Sequence, residues 1–115
     1  MAFIKFNESQ TQSFVMIIDI LANFHNELHL KFCPQSIDKS ILFIHTIRDN
    51  IVAKISIGMD GCQEYICEKK LLFECNTQKL LSELMEYNLF KTMSLSINNI
   101  THELQIDGTK KLYHY

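Results

Sequence analysis

Residues 61–85, GCQEYICEKKLLFECNTQKLLSELM, hold the change of rhythm on which the fold turns. Residues 63–67 and 70–75 read as two short strands or as one bent strand. Asn76 or Thr77 then makes a good N-cap, since its side-chain oxygen can accept from an N–H that the first helical turn leaves unpaired. A helix follows to about Tyr87, with Leu80, Leu84 and Tyr87 inward and Leu81 beside them. Lys79, Ser82, Glu83 and Glu86 fall on its outer side, and Asn88 suits a stop.

Before this stretch, residues 2–7 (AFIKFN) alternate as a strand, with Ala2, Ile4 and Phe6 on one side. Glu8 or Ser9 opens a helix that runs to about 23–25. On a helical wheel Phe14, Ile17, Ile18, Leu21 and Phe24 face the core, and Gln12, Met16, Asp19 and Asn23 face away. Residues 27–33 (ELHLKFC) alternate again, with Leu28, Leu30 and Phe32 together, and Pro34 ends the run. Residues 41–47 are apolar on both faces, "RDN" at 48–50 signals a turn, and residues 51–57 group Ile51, Ala53, Ile55 and Ile57. "GMDG" at 58–61 breaks the pattern.

After the second helix, residues 92–98 and 100–107 read as a hairpin through "NN", with Met93, Leu95, Ile97, Ile100, Leu104 and Ile106 toward the core. Gly108 is expected to break the chain, and residues 109–115 (TKKLYHY) read as a last strand or a frayed tail. The order β-α-β-β-β-β-α-β-β-β, with oily faces on most strands, predicts an α+β fold. Two helices pack on one face of a mostly antiparallel sheet, in a single domain spanning 1–115.

Composition narrows the function classes. With 115 residues, 47% hydrophobic and 21% charged, the chain can bury a core and is not expected to be disordered. A net charge of −2 offers no global attraction to a polyanion. The four cysteines form no CxxC pair, and Met1 leads into a strand-like stretch instead of a secretory leader, so an intracellular chain with reduced thiols is expected. No oily run is long and continuous enough to span a bilayer, so no membrane role is expected.

In its order and spacing the chain resembles the sliding clamps, the family of proliferating cell nuclear antigen with its checkpoint and viral relatives. The resemblance rests on Gly61, the pair Tyr65 and Cys67, the short strand after them, and Asn76 opening a leucine-bearing helix. "FIKFNESQTQSFVMIIDIL" (3–21) resembles the opening strand and helix of a clamp domain, and "LFIHTIRDNIVAKISI" (42–57) the paired strands that follow. It covers nearly the whole chain and matches one N-terminal-type domain, where family members carry two or three and close into a ring of six.

The resemblance implies a place in DNA replication or repair, or a viral equivalent, and hence a nuclear or viral replication site. It implies self-association as a dimer or ring, and replication or transcription proteins as partners. In the family, helices line the hole and offer lysines and arginines to the phosphates. Here only Lys79 is such a base; Asp19, Glu83 and Glu86 oppose it, so weak duplex DNA binding is expected. The leading expectation is a clamp-fold interaction module. The alternatives are a DNA-encircling processivity factor subunit and a clamp-fold transcription regulator that never encircles DNA. The family's last strand pairs with the next subunit, which assigns Lys110, Lys111, Leu112, Tyr113 and Tyr115 to an assembly edge. Val15, Met16 and Ile20 either widen the apolar stripe of the first helix or form a partner face.

Other chemistry finds little support. His25 and His29 stand four apart but are separated by a helix end and a strand start, so a metal site would need further ligands. Cys62, Cys67 and Cys75 read as ordinary thiols in strand-rich sequence, and no metal or cofactor is expected. The acids are scattered without a pair suited to acid–base work, and there is no glycine-rich phosphate loop, so no catalytic residue is assigned and a non-enzyme is expected.

Overall fold

The computed structural model describes residues 1–35, 39–85, 90–98 and 100–110. The elements run β1 (Ala2–Phe6), α1 (Glu8–Ala22), β2 (Glu27–Phe32), β3 (Ser40–Arg48), β4 (Ile51–Gly58), a 3-10 turn (Met59–Gly61), β5 (Glu64–Cys67), β6 (Leu71–Asn76), α2 (Thr77–Met85), β7 (Phe90–Ile97) and β8 (Leu104–Lys110). The α+β class forms as expected, with two helices and antiparallel strands. The strands divide between two four-stranded sheets, β5-β1-β7-β8 (sheet A) and β4-β3-β2-β6 (sheet B).

The stretch 63–75 explains the division. β5 pairs with β1, setting Tyr65 opposite Ile4, whereas β6 pairs with β2, setting Phe73 opposite Leu30. The run is therefore two strands, and the charged residues 68–70 are where the chain leaves one sheet for the other. α1 carries the chain from sheet A to sheet B, and α2 carries it back. The helices lie against each other, α1 over β7 and β1 and α2 beside β6.

Local sequence accounts for the helix starts. Asn7 caps α1 in a capping box: the Gln10 N–H donates to Asn7 Oδ1 and the Asn7 N–H donates to Gln10 Oε1, each at 2.9 Å. Asn76 Oδ1 accepts from the Lys79 N–H at 3.0 Å at the head of α2. Gln78 Nε2 donates to the Ala22 carbonyl at 3.0 Å, which gives an end-of-helix acceptor of α1 a partner on α2.

A single cluster joins both sheets and both helices. Phe14, Ile18 and Leu21 of α1 and Leu80 and Leu84 of α2 are buried with Ile4, Phe6, Leu28, Leu30, Leu42, Ile44 and Leu95 from the strands. Phe6 and Phe14 stack at 5.1 Å, fixing α1 over β1. The Tyr65 hydroxyl, on sheet A, donates toward the Cys33 and Ile41 carbonyls beside sheet B, at 2.7 and 3.0 Å. One proton serves two buried acceptors, so this group ties the sheets together. Burial is the main reason its pKa is raised well above the usual phenol range.

The hairpin of β7 and β8 departs from expectation. The second strand begins at Leu104, and Ile100 is 90% exposed instead of facing the core. Asn98 causes this: its Oδ1 accepts from the N–H groups of Ile100 and Thr101, and its carbonyl accepts from His102 at 2.9 Å. An asparagine that satisfies its followers in this way favours a turn over a ladder. Gly108 does not break the chain; it pairs with Met93 inside β8. The residues expected to close α2, Glu86 to Asn88, lie outside the described residues.

Candidate functional site

The described residues offer three surfaces: the outer side of the helices, the open sheet edges, and the outward face of sheet B. On α1, Gln12, Met16, Asp19, Ile20 and Asn23 are exposed, while Val15 is half-buried against the core. Met16 and Ile20 stand one turn apart at 59% and 60% exposure, so the apolar stripe does reach solvent there. Val15 does not share that exposure; its packing makes it a flank of the core. On α2, Lys79, Ser82 and Glu83 are exposed. Lys79 is the only base on the two helices, against Glu8, Asp19 and Glu83.

The edges follow from the topology. Among the described residues, β5 and β8 bound sheet A, and β4 and β6 bound sheet B. β8 ends at Lys110, so the expected terminal edge strand begins as the continuation of β8 instead of a separate element. Lys111, Leu112, Tyr113 and Tyr115 lie outside the described residues. On β4, Ile51 and Val52 are 62% and 57% exposed. Ile51 was expected with Ala53, Ile55 and Ile57, which do pack on the core. At the start of the strand, next to the two-residue turn with Asp49 at φ 55°, it has no layer above it.

The outward face of sheet B gathers residues that their sequence positions keep apart. On β2, His29 and Lys31 alternate with buried Leu28 and Leu30; on β3, Phe43 and His45 alternate with buried Leu42 and Ile44. Register then sets His29 opposite His45, Lys31 opposite Phe43, and Lys54 of β4 opposite His45. The imidazoles stack at 4.9 Å and 7°. The Lys54 and Lys31 ammonium groups sit 4.8 and 5.8 Å from the Phe43 ring centre. His29 Nδ1 lies 3.4 Å from a Glu74 carboxylate oxygen. Burial, then His29, Lys54 and Lys31, push the His45 pKa down from its ordinary value. His29 thus pairs with a strand neighbour sixteen positions away, not with His25. The sequence signal for this cluster was the alternation in ELHLKF and LFIHTI, but alternation cannot reveal which strands are neighbours.

Chemistry elsewhere is muted. Cys62 and Cys75 have raised thiol pKa values, by burial first and then by Asp60 and Glu83 respectively, and Cys75 reaches about 11. That is opposite to what a thiolate nucleophile requires. Among the described residues no three metal-ligating side chains converge, and no helix is long and apolar enough to cross a membrane. No protein-family model matches the chain, and no curated protein is significantly similar to it in sequence.

Proposed function

We propose that this chain is a clamp-fold protein-interaction module of DNA replication or repair, or of a viral equivalent, that associates with copies of itself through sheet edges and does not grip duplex DNA. The observation that carries the reading is the charge of the helical side. In the clamps that the sequence resembles, that side faces the DNA, and counterion release from phosphates needs a row of bases. Here Lys79 stands alone there against exposed acids. The element order and the edge position of β8 among the described residues support the assembly half, because an unpaired row of N–H and C=O groups is a template for another strand. The reading is non-enzymatic, and exposed Met16 and Ile20 are its second contact surface.

Light scattering at several concentrations, on the full chain and on a chain lacking residues 110–115, tests it. A dimer that becomes monomeric on truncation, with unchanged circular dichroism, is the expected result. An unchanged mass distribution overturns the edge assignment. A stable hexamer that retains duplex DNA at physiological salt overturns the module reading in favour of an encircling clamp.

A further inference from the structure

On the outward face of sheet B the two lysines gather beside His45, and among the described residues no carboxylate pairs with either lysine. Lys31 and Lys54 converge on one phenyl ring, and His45 is flanked by Lys54 from β4 and by His29 and Lys31 from β2. The acids on this face lie to one side. Glu74 of β6 engages His29, and Glu27 lies farther along β2, opposite Asn76. Among the described residues neither lysine has a carboxylate within 4 Å. Holding such groups together costs Coulomb energy that a bound anion would recover.

Size and surroundings select the anion. With strands about 4.8 Å apart, the patch from β4 to β2 is about 10 Å wide, room for one or two anionic groups. It is bordered by Glu74 and by exposed apolar side chains: Leu72 at 51%, Ile47 at 48% and Val52 at 57%. A nucleic-acid strand has a charge at every nucleotide and would carry phosphates over Glu74 and these apolar residues, on a chain of net charge −2. A peptide with one or two carboxylates between apolar residues meets no such conflict. We propose that the outward face of sheet B is a docking site for an acidic, partly apolar peptide segment of a partner protein. Lys31 and Lys54 hold its carboxylates, His29 and His45 add donors, and Leu72, Ile47 and Val52 border its apolar side chains.

His45 makes the site responsive to pH. His45 is held neutral by burial and by its cationic neighbours, and a carboxylate above it favours the proton. Binding therefore strengthens as pH falls, while peptide carboxylates stay ionised to about pH 4.5. This inference is independent of the assembly reading, since it involves neither β8 nor the helices.

The test is a titration of the isotopically labelled full chain with an end-blocked octapeptide of alternating Asp and Leu, followed by amide shifts. The expected result is saturable shifts at Lys31, Phe43, His45 and Lys54 with Kd of about 10–500 µM, typical of a small transient contact. The Kd is expected to fall about threefold to tenfold from pH 7.5 to 5.5. Lys31→Gln with Lys54→Gln weakens binding about tenfold, and both positions point away from the core, so a well-dispersed spectrum is retained; Lys54→Gln alone gives a smaller loss. Absence of shifts at these residues overturns the proposal, as does equal binding by a Lys/Leu octapeptide. Stronger saturation by a twelve-residue oligothymidylate replaces the peptide with a nucleic acid. A Kd that does not change with pH removes His45 from the site.

Discussion

The outer side of the helices and the outward face of sheet B cover the same core from different directions, and they divide the charge unequally. Both helices together present one base, Lys79, while sheet B brings Lys31, Lys54, His29 and His45 to one patch. The helical residues are spread by rotation about their axes, so successive outward positions are a turn apart along one element. The sheet residues come from three strands and meet by lateral pairing. A chain of net negative charge can thus still build a local positive site, where strand register concentrates its few bases.

The largest expected effect tests whether the helices turn the faces described. Leu84 is fully buried and Leu21 is 3% exposed. Leu21→Ala or Leu84→Ala is expected to cost about 2–5 kcal/mol in a denaturant melt. A loss below about 1 kcal/mol would mean that the outward face has been misassigned, and the contrast with sheet B would fail with it.

Next is the link that holds the two sheets in register. Tyr65→Phe removes the proton shared by the Cys33 and Ile41 carbonyls; the Ile41 carbonyl keeps the Cys33 N–H at 2.8 Å, so the Cys33 carbonyl is the acceptor that loses its donor. The expected cost is about 1–3 kcal/mol by the same melt. If Tyr65→Phe is as stable as the parent chain, the sheets are held by apolar packing alone.

The smallest effect concerns the helical base itself. Lys79→Gln is expected to change stability by less than about 0.5 kcal/mol, because the side chain is exposed and, among the described residues, in no ion pair. Duplex DNA binding, by anisotropy at physiological salt, is expected to be weak or absent before and after the change. A sub-micromolar affinity that falls steeply with salt and drops in Lys79→Gln would erase the contrast between the two surfaces.

Much of the fold was legible because period is a local property. The wheel of α1 put Phe14, Ile18 and Leu21 inward and Gln12, Met16, Asp19 and Asn23 outward, as they lie. The alternation of β2 likewise put Leu28, Leu30 and Phe32 in the core. The misreadings occur where local chemistry competes with period. Asn98 draws the following N–H groups into a turn, so Ile100 is exposed although its spacing suits a strand. The helical surface was legible by the same argument, as one element carries all its members.

What the sequence determined by itself is the inventory: which residues prefer strand or helix, which side of each element is apolar, and that the helices carry almost no positive charge. Those properties depend on neighbours two to four positions away. Only the tertiary structure decided that residues 63–75 split between two sheets, that Tyr65 reaches Cys33 and Ile41, and that His29 stacks on His45 with two lysines around Phe43. Each of these depends on which strands lie side by side and in what register. That choice is made by burial of the whole apolar set at once, so no short window of the chain contains it.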